Sequence, residues 1–217
     1  MHPSPSKVAL LVAFGALGGC AGTAKPASTP ACPTDRTVVI SSQDDVLRFA
    51  ACTTASSLTI RTGASINLAP LRGLETITGD LAVGPTVGME ELALPELREV
   101  GGSVRIESNG ALHGIFLPRL ARAGSIDIEA NASLTTISFP RLEAVLGSFL
   151  ILQNGGLELI DIPVLASVGK DLVIGDNPEL ALIEAGNLAT VQEIRVERNR
   201  KLPVEQVDAV RAKTPPP

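Results

Sequence analysis

The sequence predicts an all-β solenoid of stacked 22- to 23-residue coils, and three observations carry that expectation. Apolar triplets recur at nearly constant spacing between residues 58 and 196, Asn, Pro and Gly keep fixed offsets from them, and the implied core has almost no aromatics. The triplets are Leu58-Thr59-Ile60, Leu81-Ala82-Val83, Val104-Arg105-Ile106, Ile126-Asp127-Ile128, Phe149-Leu150-Ile151, Leu172-Val173-Ile174 and Ile194-Arg195-Val196. Their first residues are 23, 23, 22, 23, 23 and 22 positions apart. Side chains alternate in and out along a strand, so Leu58 and Ile60 are expected to point inward and Thr59 outward, and likewise in the other triplets. A single coil cannot bury its inner face, so each must stack on its neighbours. About six coils plus a seventh strand follow from this count.

Taken in chain order, the first element is a targeting segment. Lys7 precedes the apolar run Val8 to Leu17, which is too short to span a bilayer and fits a signal peptide. The run ends in Leu17-Gly18-Gly19-Cys20, which resembles the lipobox of bacterial lipoproteins. That resemblance implies removal of residues 1–19 and acylation of Cys20, with Ala21 favouring the outer membrane. Residues 20–34 are small, polar and Pro-rich, and are expected to be a flexible tether between lipid and fold. In an oxidising envelope compartment the two remaining cysteines, Cys32 and Cys52, are expected to pair.

The solenoid is expected over residues 35–213, with a helical cap at each end because open ends would expose core and strand edges. Residues Gln43 to Ala51 read as the first cap, with Ser42 or Asp44 as its N-cap. Between the caps one coil reads L-x-I-x-x-N-x-x-L-x-x-I-x-L-P-x-L-x-x-V-G-G. Its Asn, at Asn109, Asn131, Asn154, Asn177 and Asn199, is expected to form a buried ladder that satisfies backbone groups of adjacent coils. Gly63 and Thr86 hold that position in the first two coils, so the ladder is expected only in the later five. Pro95, Pro118, Pro140 and Pro163 set a corner by fixing φ, and Gly186 replaces the Pro in the sixth coil. Val204, Val207 and Val210 mark the second cap, Val204 to Ala212, after Pro203; residues 214–217 are expected to be a disordered tail.

The L-x-I-x-x-N-x-x-L coils, the Leu-Pro-x-Leu corners and a helix leading into Cys52-Thr53-Thr54 resemble the receptor L-domain family, whose leucine-rich-repeat-like parallel β-helices occur in receptor ectodomains and envelope proteins. The resemblance implies an L-domain-like fold. In receptors such domains bind protein ligands through exposed faces, but no ligand-contact motif carries over.

Composition narrows the function. A net charge of −5 gives no basic footprint for nucleic acid, and five Phe with no Trp or Tyr leave few stacking platforms for bases or sugars. Beyond residue 19 the chain has one histidine, His113, and neither a catalytic triad nor a metal-spaced cluster can be assembled, so no cofactor is expected. The outward residues of the first sheet are more informative. Stacking brings Arg105 beside Asp127 and Glu107 beside Glu129. Carboxylates Glu107, Asp127 and Glu129 support one alternative, a β-helix carbohydrate-active enzyme, since acid/base work on sugars needs two nearby carboxyls. Further along, Phe149-Leu150-Ile151-Leu152 breaks the alternation and turns Leu150 and Leu152 outward beside Val173, with Arg195 at the rim. An apolar centre with charged edges is the anatomy of a protein-binding face, and Phe116 is a second outward apolar residue. The leading expectation is therefore a non-enzymatic, lipid-anchored envelope protein whose solenoid binds a protein partner, associates with itself or serves surface structure.

Overall fold

The computed structural model describes Cys32, Pro33, residues 35–186 and residues 188–212. The expected signal peptide, Cys20 and its lipid, the tether as far as residue 31 and the tail 214–217 lie outside the described residues.

The chain forms a parallel β-solenoid. A 12-stranded sheet runs its length, and its principal path joins eight strands. Seven contain the triplets. The eighth, Thr37–Ile40, precedes them and was not expected. It pairs in parallel with Ser57–Ile60, so Val38 and Ile40 stack on Leu58 and Ile60 and all four are buried. Its triplet, Val38-Val39-Ile40, escapes a periodicity search because only 20 residues separate Val38 from Leu58. The helix α1 (Gln43–Arg48) fills that shorter connection.

A second sheet of five parallel strands faces the first across the core, from Glu91–Ala93 to Leu182–Ala185. Its inner residues Leu92, Ile115, Ile137 and Ile160 are fully buried. A third wall closes most coils: Ile77, Val145 and Val168 point inward from two-residue strands, and Val100 and Ala123 from the first residues of the longer strands Glu99–Glu107 and Arg122–Glu129. Phe139 and Phe149 are the largest side chains of an otherwise aliphatic core. Coil closure requires close backbone approach. A Cβ on Gly169 would lie 2.0 Å from the Leu146 carbonyl oxygen of the preceding coil, so no larger residue fits.

Both caps are shorter than expected. Helix α1 stops at Arg48, and its N-cap is Ser42, whose Oγ accepts from the Asp45 N–H; Asp44 lies within the first turn. Residues 49–51 form the turn that leads to Cys52. Cys52 is bonded to Cys32. Helix α2 (Val204–Arg211) follows Pro203, which is its N-cap. Only Val210 of its expected apolar face is buried; Val207 packs at the edge of the core and Val204 is exposed.

The first coil departs from the repeat. Where later coils place a strand of the second sheet, residues Ala69–Gly73 form a 3-10 turn. The cause is local. Pro70 stands 23 residues before Ala93, so a residue without an N–H, its φ preset near a helical value, occupies a strand position. Leu68, Leu71 and Leu74 are all buried, giving a spacing of three instead of two.

Candidate functional site

The two arrangements singled out in the sequence are an inner ladder and an outer face, and the same strands position both. The ladder sits at the bend after the long sheet. The Asn131 N–H donates to Asn154 Oδ1 at 3.1 Å, while Asn131 Nδ2 donates to the Ile106 carbonyl at 2.9 Å. Its own Oδ1 accepts from the N–H and Nδ2 of Asn109 at 3.1 and 2.9 Å. Asn154 repeats the pattern toward Asn177 and the Ile128 carbonyl, and Asn177 toward Asn199 and the Ile151 carbonyl. Asn199 closes the row on the Ile174 carbonyl. The ladder begins one coil earlier than expected: the Thr86 hydroxyl donates to Asn109 Oδ1 at 2.7 Å in a buried site. Threonine can stand there because the first member of the row needs only one donor, which a hydroxyl supplies.

A feature that no sequence signal announced accompanies the ladder. The residue before each Asn is in the left-handed region without being glycine: Ser108, Ala130, Gln153, Asp176 and Arg198 have φ of 59°, 56°, 56°, 57° and 55°. Such a conformation costs an ordinary residue about 1–2 kcal/mol. The five bends therefore carry strain that the ladder's hydrogen bonds hold in place. The last two members of the row are joined by a two-pronged ion pair, Arg198 Nε to Asp176 Oδ1 at 2.6 Å and Nη2 to Oδ2 at 2.8 Å. Those bonds hold the Asp176 carboxyl below its usual range.

On the outer face of the long sheet one row runs Ala82, Arg105, Asp127, Leu150, Val173, Arg195 in register. The adjacent row runs Glu107, Glu129, Leu152, Gly175, Glu197. The four residues proposed as a partner face thus lie together. Leu150 and Leu152 are half-buried and Val173 is only 9% exposed, so the apolar centre is flatter than alternation alone implies. Leu152 leans across Gly175: a Cβ on that glycine would sit 3.3 Å from Leu152 Cδ2. Arg195 turns sideways to Glu193 at 3.5 Å and Asp171 at 4.0 Å.

The expected cross-strand pair of Arg105 with Asp127 is not made. Arg105 Nε binds Glu107 Oε1 at 3.0 Å instead, two residues along its own strand on the same face. Asp127 Oδ1 is buried and has no hydrogen-bond partner, and burial pushes its carboxyl above the usual range, an effect Arg105 opposes. Glu107 and Glu129 are in register one coil apart. Two clefts lie away from these carboxylates: one of about 560 Å3 beside Glu91 and Ala93, and one of about 430 Å3 beside Arg98, Arg119 and Arg141. Among the described residues no group of three or more His, Cys, Asp or Glu is placed to hold a metal ion. His113 is exposed at a bend. The Phe116 ring folds over Gly114, where a Cβ would lie 2.3 Å from the ring edge, which leaves Phe116 half-buried.

Fold and site together define a class: a parallel β-solenoid with an internal Asn ladder and a flat, mixed apolar and charged outer face. Comparison of the chain with protein-family models, curated proteins and solved structures gave no match.

Proposed function

We propose that the chain is a non-enzymatic cell-envelope lipoprotein, anchored through lipid on Cys20, whose rigid solenoid presents the Leu150–Leu152 face to a protein partner. The observation that carries this reading is the contrast across the long sheet. Its inner residues and the Asn ladder are structural, whereas outside it three apolar residues interrupt two charged rows. Interfaces combine an apolar centre with a polar rim in this way. Eight strands in register hold the face rigid, so little order is lost on binding. The Cys32–Cys52 disulfide supports an oxidising compartment outside the cytoplasm, and the lipobox-like Leu17-Gly18-Gly19-Cys20 supports attachment to the outer membrane.

The test is crosslinking on intact cells followed by capture of the protein. Replacing Leu150 and Leu152 together by Asp puts two charges on a surface already half open to water, so the fold survives. The variant should lose the partner recovered with the parent chain. Equal recovery would refute the assigned face. Cys20→Ala should move the protein from the membrane fraction to the soluble fraction, and an unchanged distribution would refute the anchor.

The carbohydrate-active alternative has one favourable observation, the raised carboxyl of Asp127 beside Glu129. It requires turnover of a polysaccharide that Glu129→Gln abolishes. Absence of turnover across a broad glycan panel would count against it.

A further inference from the structure

The second sheet is unzipped between the first and second coils, and the opening has the chemistry of a strand edge. In its regular part, the Leu94 N–H donates to the Phe116 carbonyl of the next coil, and the Thr136 N–H donates to the His113 carbonyl of the preceding one. One coil earlier the equivalent groups are diverted. The Leu71 N–H, equivalent to that of Leu94, bonds the Leu68 carbonyl at 2.8 Å inside the 3-10 turn. The Ala69 N–H is taken by Asn67 Oδ1 at 2.9 Å. The Asn67 N–H and carbonyl turn away to the side chain of Gln43 in α1, at 2.7 and 3.1 Å.

Alternation along a parallel strand then decides what is left. Glu90 and Leu94 bond the third coil through their backbones, so Glu91 and Ala93 point theirs toward the first coil. Among the described residues those N–H and C=O groups find no partner there. The coils meet again on either side of the gap. At one end a Cβ on Gly88 would lie 2.8 Å from the Ser65 nitrogen; at the other the Arg98 N–H donates to the Glu75 carbonyl at 2.8 Å. Between them is the cleft of about 560 Å3, with Ile66 and Ala69 on the wall opposite Glu91 and Ala93.

The far end of the same sheet shows how this fold finishes an edge. There Gln206 of α2 accepts from the Ile183 N–H at 3.3 Å, as Gln43 does for Asn67 at the near end. A side-chain amide covers each outer edge, and the inner edge at Glu91–Ala93 alone lacks one among these three.

From this we infer that the cleft binds an extended peptide segment, which adds to Glu91–Ala93 as a strand and carries a basic side chain beside Glu90 and Glu91. Paired donors and acceptors on alternate residues of one strand match the backbone of another extended chain, which is how strand addition gains affinity. Three such residues span roughly 10 Å, well within a cleft of this size. Charge selects the side chain. Glu90 and Glu91 are exposed on the strand wall and make no ion pair among the described residues. Arg72 also lines the cleft, but on the first-coil side, and it is the charge on the pairing strand that counts, because an opposite charge directly across a strand pair is favourable. This site lies on the other sheet from the Leu150–Leu152 face and does not depend on it.

The experiment is an NMR titration of the folded protein with the peptide acetyl-Thr-Lys-Val-Thr-Val-amide, beside the same peptide N-methylated at alternate residues. Saturable shifts of the Glu91 and Ala93 amides are expected, with about tenfold weaker binding for the methylated peptide, which loses backbone donors. Ala93→Pro removes one edge N–H at a position where proline is tolerated, and should weaken binding similarly with the remaining spectrum unchanged. Glu91→Lys should reverse the preference toward a peptide with Glu in place of Lys, which keeps the test valid if Ala93→Pro unfolds the chain. Equal binding of both peptides, or no saturable shift at the edge, would overturn the inference. A concentration-dependent rise in mass without peptide, centred on these amides, would assign the edge to a second copy of the chain and overturn it too. Loss of partner capture by the Leu150/Leu152 double variant leaves this titration unchanged.

Discussion

Removing one amide from the middle of the ladder should cost far more than removing the last one. In Asn131→Ala the Asn109 N–H loses its only acceptor, Asn131 Oδ1, in a site with no exposure. Leaving a buried donor unpaired costs about 1–3 kcal/mol, and losing the Nδ2 bond to the Ile106 carbonyl adds about 1 kcal/mol. The total is roughly 3 kcal/mol, a large share of the stability of an ordinary domain. Asn199→Ala removes bonds to the Asn177 N–H and the Ile174 carbonyl, but Asn199 is half-buried and water can replace them, so the cost is about 1 kcal/mol. Urea unfolding followed by circular dichroism reads both values. The reasoning fails if Asn131→Ala costs less than about 1 kcal/mol, or no more than Asn199→Ala, because burial would then not be what makes the ladder matter.

Other perturbations test separate parts of the fold. Ala130→Gly relieves a left-handed φ of 56°, and after the entropy lost by glycine it should be neutral or stabilising by up to about 1 kcal/mol, whereas Ala130→Val should lower the melting temperature. Asp127 has a folded pKa above its unfolded value, so its protonated form favours the fold and that stability is lost as pH rises through the folded pKa. Asp127→Asn should therefore be more stable than the parent at neutral pH, with the difference vanishing once the pH falls below the ordinary carboxylate range; a difference independent of pH would refute burial as the cause. Cys52→Ser opens a loop with a sequence separation of 20 and should cost about 3 kcal/mol, and a reducing agent should bring the parent chain to the same stability.

The repeating parts of the molecule were legible because they are periodic. Leu58, Leu81 and Val104 recur at one spacing, and stacked identical layers leave such residues a single direction to face. The strand Thr37–Ile40 was missed because its helical connection breaks that spacing, and Thr86 because a hydroxyl does not look like an amide until it is seen donating to Asn109. The diversion in the first coil had a signal, since Pro70 occupies a strand position two residues ahead of the usual corner.

The outer surface divides in the same way. Sequence placed Arg105, Asp127, Leu150, Val173 and Arg195 in one row, because a period-two strand in a stack of nearly constant spacing sets both face and register. Which neighbour each side chain chose was decided only in three dimensions: Arg105 took Glu107 over Asp127, and Leu152 closed over Gly175. Periodicity specifies where backbones repeat, and therefore the core, the ladder and the rows. Long side chains on an open face can reach several neighbours at similar cost, and backbone groups freed by a local turn have no counterpart in the pattern of residue types. Thus sequence alone determined the solenoid and its inner order, while tertiary packing decided the ion pairs of the outer face and the open edge at Glu91–Ala93.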